Sequence, residues 1–128
     1  MRKQYHSRSS DKGRLIWDID RLIELSEGLE IVAVPLEKIS EIDESYWFDS
    51  EDLPSCRSIA EHAKLIEQAD LSYPIILCSK MRVMDGMHRV LKALNLGLDT
   101  IDAVVFPSDP EPDYIDVPLD ELPYDQDA

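Results

Sequence analysis

The sequence predicts a single compact α/β domain with a small mixed sheet and flanking helices. The chain has 128 residues, of which 44% are hydrophobic, and this is the size of one ordinary domain with enough apolar material for one core. Short β-branched runs alternate with segments whose apolar residues recur at helical spacing. Such an alternation of strands and helices is typical of α/β folds.

A short helix and a first strand are expected at the start of the domain. Apolar residues recur at helical spacing through WDIDRLIELSEGL, and Gly28 suits the position after a helix ends. The next run, IVAVPL, is β-branched and predicts a strand, in which Pro35 is tolerated only at the end. The acidic segment EKISEIDESYWFDSEDLP has no clean period and predicts a loop or irregular turns, which are often functional in small domains.

The second half predicts a helix, a strand pair, another helix and a last strand. Helical spacing returns over residues 54–69, with Ile59, Ala63 and Ile66 in one apolar stripe. PIILC and SKMRVM predict two strands joined by a polar turn. Residues 86–96 predict a helix that ends before Gly97, and TIDAVVF predicts the last strand.

Charge and composition exclude several classes of protein. The net charge of -14 repels DNA and anionic membranes, so a nucleic-acid partner is not expected. No run approaches the roughly eighteen apolar residues of a membrane span, and the first thirty or so residues lack a signal pattern, so we expect a cytoplasmic protein. Cys56 and Cys78 form no CxxC pair, which favours reduced thiols over a zinc site or a disulfide scaffold.

The two ends of the chain carry opposite charge. We expect a basic N-terminal arm over residues 1–14, the folded domain over 15–106 and an acidic, proline-rich C-terminal tail over 107–128. The tail holds eight acids and no Lys or Arg, which predicts an extended segment with one short turn at LDELPY. Two interpretations remain open: both ends are solvated, or they touch each other or flank an anion site.

Two cationic residue types lie where the helix over residues 86–96 begins. The core stripe of that helix consists of its apolar residues, Met87, Val90, Leu91 and Leu94. His88 and Arg89 lie off this stripe, beside unpartnered N–H groups and the positive end of the helix dipole, where an external anion such as phosphate would stabilise them. Asp85 is the expected N-cap, and Gly86 permits close backbone approach. Alternatively, Gly86 only turns, His88 is solvated and Arg89 pairs with a carboxylate.

The stretch PIILCSKMRVMDGMHRVLKALNLGLDTIDAVVF resembles the core of the ParB/sulfiredoxin superfamily, and SIAEHAKLIEQADLSYPIIL resembles the helix and strand before it. The similarity covers residues 53–106, with a weaker match at IVAVPLEKI, and DGMHR is nearest the turn of the free serine kinases. The resemblance implies a ParB/sulfiredoxin-like fold with Asp85 near a metal or the reacting hydroxyl. It also implies Gly86, Met87, His88 and Arg89 in a nucleotide-binding turn, with His88 and Arg89 on phosphates.

Two departures from the superfamily narrow the expected chemistry. Sulfiredoxins carry a reactive Cys where this chain has Met87, so sulfinic-acid chemistry is not expected. ParB proteins continue into DNA-binding helices, whereas this chain continues into an acidic tail, so a partition function is not expected either.

Further candidates lie outside the turn. The serine kinases place a base-like Glu in the loop before Trp47, where Glu44 is our choice, and Arg57 in the second helix could reach a ligand. His62 is expected at the edge of the core. The aromatic residues either belong to the core or stack on a base; they are Trp47, Phe48 and Tyr73. His6 and Arg8 could fold over the site as part of the arm.

Two functional hypotheses follow. In the first, the protein is an enzyme that binds ATP or another nucleoside triphosphate with Mg²⁺, and Asp85 and Glu44 assist transfer of a phosphoryl group to a small acceptor or its hydrolysis. In the second, it is a non-catalytic module whose nucleotide controls contact with a protein partner through the acidic tail. A ParB-like nuclease conflicts with the charge of -14 and with the lack of a recognisable carboxylate cluster.

Overall fold

The structure is a computed structural model that describes residues 3–124. Within these residues the helices and strands are, in chain order, β1 (Tyr5–Ser10), β2 (Gly13–Asp18), α1 (Ile19–Ser26), β3 (Val32–Pro35), α2 (Cys56–Gln68), β4 (Ile75–Leu77), β5 (Val83–Asp85), α3 (Met87–Asn95), β6 (Thr100–Val105) and β7 (Tyr114–Ile115). Short 3₁₀ segments occur at Leu36–Lys38, Ser40–Asp43 and Leu119–Glu121. None of the described helices has the length and apolar character that a bilayer crossing needs.

A four-stranded mixed sheet forms the centre of the domain, in the order β3-β6-β4-β5. β6 runs antiparallel to β3 and parallel to β4, while β4 and β5 form the predicted antiparallel pair. Ile75 and Leu77 belong to one buried cluster, and Ile76 and Cys78 belong to the other. Because successive strand residues point to opposite faces, β4 is buried on both sides, which explains its unbroken apolar run. The predicted α/β class with a small mixed sheet is confirmed.

A second, three-stranded sheet was not predicted. It has the order β1-β2-β7 and contains two strands from the ends of the chain, β1 from the arm and β7 from the tail. β2 also takes up the first residues of the segment predicted as a helix, so α1 begins only at Ile19, with Asp18 as its N-cap. The helix prediction was too long because Trp17 belongs to strand β2, where it and Ile16 are both buried.

The tail packs against this second sheet. The indole Nε1 of Trp17 donates a hydrogen bond to the carbonyl oxygen of Pro110 at 2.9 Å, and the backbone N–H of Asp18 donates to a carboxylate oxygen of Asp113 at 2.8 Å. Leu122 is only 4% exposed. The arm meets the tail as well: the rings of Tyr5 and Tyr114 pack edge to face with centroids 6.1 Å apart, and Arg8 lies 3.9 Å from Asp109. Of the two interpretations of the chain ends, mutual contact is therefore the one that the structure has. The predicted turn at LDELPY is present as the last 3₁₀ segment, and residues 125–128 of the predicted tail lie outside the described residues.

The predicted irregular loop and second helix are confirmed, but one face of that helix was assigned wrongly. The acidic loop after β3 contains two of the 3₁₀ segments. α2 begins after a capping box formed by Ser55 and Ser58. Its apolar stripe was expected in the core, yet none of its residues is buried and Ile59 is 55% exposed. α2 therefore lies on the outside of the domain, where it packs on α3.

Candidate functional site

The DGMHR turn connects β5 directly to α3. Gly86 adopts a left-handed conformation with φ of 108°, and a Cβ atom built there would lie 2.6 Å from Cγ2 of Ile75. Both the backbone angle and the space therefore require glycine. In consequence α3 starts one residue after the strand, and the first residues of the helix sit beside the edge of the sheet.

Asp85 and Arg89 form an ion pair, so Arg89 pairs with a carboxylate, as in the alternative interpretation, and Asp85 is not the predicted cap. A carboxylate oxygen of Asp85 accepts from Nη2 of Arg89 at 2.9 Å, and Nη1 of Arg89 donates to the carbonyl oxygens of Tyr73 and Pro74, each at 3.1 Å. The N-cap of α3 is Gly86, with no side-chain cap, so the prediction that Asp85 caps the helix is wrong. The left-handed turn at Gly86 places the carboxylate at the end of β5 within ion-pair distance of Arg89 in the first turn of α3.

A cavity opens at the uncapped end of α3. It has a volume of about 370 Å³, and all five residues of DGMHR line it. The opposite wall comes from the end of α2 and the segment that follows, including Leu65 and Gln68. Because the first N–H groups of a helix have no partner within it, this cavity borders the part of the backbone that attracts anions.

His88 is held by another histidine and by a tryptophan. Nδ1 of His62 and Nε2 of His88 are 2.9 Å apart, and the Trp47 ring stacks on both imidazoles with centroid distances of 4.0 and 4.4 Å. Burial, followed by the nearby His62, lowers the pKa of His88 from 6.5 to about 4. His88 is therefore neutral at neutral pH. Of the two cations expected at this helix end, only Arg89 carries a charge.

Glu44 and Arg57 do not line the cavity at α3, whereas His62 contacts His88 of the turn. Glu44 is bound by Arg82 through two hydrogen bonds of 2.8 Å, which lowers the pKa of Glu44, and it lines a different cavity from the one at α3. Arg57 lies in the first turn of α2, as predicted, and is exposed. His62, expected at the core edge with a hydrogen bond, is partly buried and has that bond to His88.

Two further cavities were missed from the sequence. One of about 390 Å³ lies beside β1 and contains Arg8, Arg82 and Tyr46, while a smaller one of about 200 Å³ shares His6 and Tyr46 with it and residues 85–88 with the cavity at α3. YHSRSS lacks the alternation of apolar and polar residues that predicts a strand, so β1 carried little local signal. No local pattern brings β1 to Tyr46 and Arg82, because that contact is made only in the tertiary structure.

The described residues offer little for a metal ion by themselves. Within residues 3–124, no group of three or more His, Cys, Asp or Glu side chains is placed to hold one. Mg²⁺ is commonly held by one or two carboxylates together with substrate phosphates. Asp85 fits the role of a single carboxylate ligand of that kind, provided that phosphates supply other ligands and that Arg89 releases it.

Comparisons of the chain with protein-family models, with curated proteins and with solved structures found no match. The resemblance to the ParB/sulfiredoxin superfamily therefore depends on the DGMHR turn and the elements that flank it in the sequence.

Proposed function

We propose that the protein binds a phosphate-bearing ligand, expected to be ATP or another nucleoside triphosphate, at the N-terminus of α3. One observation carries the proposal: the first turn of α3 has no side-chain cap and borders the cavity of about 370 Å³ that residues 85–89 line. Helix N-termini attract anions through their free N–H groups and dipole. The missing Cβ of Gly86 would let a phosphate approach the backbone closely.

Binding would rearrange the ion pair between Asp85 and Arg89. In the structure Nη2 of Arg89 donates to Asp85, and Nη1 donates to two backbone carbonyl oxygens. A phosphate would compete with Asp85 for Nη2, since guanidinium groups pair strongly with phosphate. Asp85 would then be available to a Mg²⁺ ion carried by the nucleotide, which is the role that the superfamily resemblance implies for it.

Binding is supported better than catalysis. The carboxylate chosen as a base, Glu44, lines another cavity and is neutralised by Arg82, and a general base must come within hydrogen-bond reach of the proton that it removes. This observation favours the non-catalytic module, in which the nucleotide controls contact with a protein partner, as the second candidate. We still propose phosphoryl transfer to a small acceptor, or hydrolysis, as the first candidate function, and a turnover assay distinguishes it from the non-catalytic module.

The proposal is tested by calorimetric titration with ATP, CTP and pyrophosphate, with and without Mg²⁺. Leu65→Glu places a carboxylate on the cavity wall, and Leu25→Glu on α1 is a matched control, since the two leucines are 48% and 45% exposed. Repulsion from the new charge should weaken binding about tenfold in Leu65→Glu only. Equal affinities in the two variants would place the ligand elsewhere. Phosphate release in the same samples distinguishes an enzyme from a module.

A further inference from the structure

The cavity of about 390 Å³ beside β1 has the features of a second ligand site. Its walls come from β1, from the loop that follows β3 and from the start of β5. Charged and aromatic side chains line it, namely those of His6, Arg8, Glu41, Glu44, Tyr46 and Arg82. They include two arginines, two glutamates and the hydroxyl group of Tyr46. The ligand that the cavity attracts therefore depends on which of these charged groups are already paired with one another.

Arg82 is fully engaged with the acids of the cavity. Its guanidinium donates two hydrogen bonds of 2.8 Å to Glu44, and its Nε lies 3.4 Å from a carboxylate oxygen of Glu41. Glu41 is buried and also accepts from the backbone N–H of Val83 at 2.5 Å. Arg82 and these two carboxylates therefore largely satisfy one another.

Arg8 has no comparable partner. Within residues 3–124, the one carboxylate in ion-pair contact with it is Asp109, at 3.9 Å, and its one hydrogen-bond contact is to Nε2 of His6 at 3.4 Å. Burial, and then the charge of Arg8, lowers the pKa of His6 to about 4, so the imidazole is neutral at neutral pH. The guanidinium presents about five N–H donors in a planar fork, and most of them have no acceptor among the residues that the structure describes.

The Arg8 fork is also held in place. Its guanidinium carbon lies 5.0 Å from the centroid of the Trp17 ring, and Trp17 is itself buried. A cation stacked on an indole face is attracted to it and loses side-chain freedom. The donors of Arg8 are therefore oriented before any ligand arrives, which reduces the entropy cost of binding.

Tyr46 adds a neutral donor to the same cavity. Its side chain is partly buried, and its hydroxyl makes no hydrogen bond to a described residue. Because no buried side-chain polar atom of the described residues lacks a partner, this hydroxyl is reached by solvent. Burial, together with the charge of Glu41, raises the pKa of Tyr46 to about 12, so the phenol keeps its proton at neutral pH. The cavity thus offers a cation whose one ion-pair contact among the described residues is a long one of 3.9 Å to Asp109, and a hydroxyl with no hydrogen bond to a described residue.

We propose that this cavity binds a small monocarboxylate, with the carboxylate on the Arg8 fork and the Tyr46 hydroxyl donating to the ligand. A carboxylate matches the planar fork of a guanidinium. A monoanion is favoured over a phosphate dianion because Glu41 and Glu44 line the same cavity. The site is distinct from the end of α3, although the small cavity that contains Tyr46 also reaches residues 85–88.

The test is an NMR titration of the full-length, ¹⁵N-labelled protein with sodium pyruvate, followed through the Nε–H signal of Arg8 and the indole N–H of Trp17. We expect a saturable shift of both signals in the wild type. Arg8→Gln should weaken binding tenfold or more, as expected for loss of a charge-assisted contact. Arg14→Gln is the matched control, because Arg14 is an exposed cation on the same hairpin, and it should leave the affinity unchanged.

Tyr46→Phe keeps the ring and removes only the hydroxyl, so it provides a second test if Arg8→Gln does not fold. We expect it to weaken pyruvate binding severalfold. Inorganic phosphate is titrated in parallel and should bind more weakly at this cavity. Stronger binding of phosphate, unchanged affinity in Tyr46→Phe and in a folded Arg8→Gln, or shifts that do not saturate would each overturn the proposal.

Discussion

Replacing Gly86 by alanine should be among the most destabilising small substitutions in this protein. Its φ of 108° lies in a region that residues with a Cβ rarely adopt, and this conformation costs about 1–2 kcal/mol. The new Cβ would also lie 2.6 Å from Cγ2 of Ile75, a fully buried side chain, and 2.9 Å from Nη2 of Arg89. Displacing a packed core residue costs about 1–3 kcal/mol more. We therefore expect a loss of about 2–5 kcal/mol in the free energy of unfolding.

Two other glycines separate the backbone effect from the steric one. Gly97 has φ of 75° with no atom within 4 Å of a built Cβ, so Gly97→Ala should show only the backbone cost of about 1–2 kcal/mol. Gly28 has neither feature, and Gly28→Ala should change stability by less than about 1 kcal/mol. Urea unfolding followed by far-UV circular dichroism measures all three. If Gly86→Ala lowers the free energy of unfolding by no more than Gly97→Ala does, the steric contact of the new Cβ with Ile75 does not contribute and the reasoning is refuted.

Three more predictions concern the chain end, the histidines and the cysteines. Truncation after Ser108 should lower the thermal midpoint, because it removes β7, Leu122 and the Pro110 acceptor of the Trp17 indole; an unchanged midpoint would mean that the tail does not pack. The free energy of unfolding should fall as pH drops from 6.5 towards 4, because folding lowers the pKa of His6 and of His88 and the unfolded chain binds protons first. His88→Gln should flatten that dependence in urea titrations at several pH values. Cys56→Ser, at an exposed site, should be neutral, whereas buried Cys78→Ala should cost about 1–3 kcal/mol by chemical unfolding; neither should change calorimetric nucleotide affinity.

The site was predictable in position but not in its electrostatic state. A strand followed by DG and an amphipathic helix located the turn, because the conformational needs of glycine and the helical period are properties of neighbouring residues. The partners of its side chains come from elsewhere: His62 lies 26 positions from His88, and Tyr73 lies 16 positions from Arg89. Those contacts make His88 neutral and engage Arg89, so the charge of the turn depends on packing.

The sequence by itself determined the elements whose signal is local, namely α2, α3 and strands β3 to β6, together with the α/β class. Each depends on a periodicity or a chain-breaking residue that can be read within one segment. The tertiary structure alone decided that β7 from the tail joins β2 in a second sheet, since the Trp17 and Pro110 that meet there are 93 positions apart. β1 pairs with β2 in a local hairpin, but its polar residues carry little of the hydrophobic pattern by which a strand is predicted from sequence. The long-range contact of β1 with the loop after β3 sets Arg8 beside Tyr46 and so creates the second cavity.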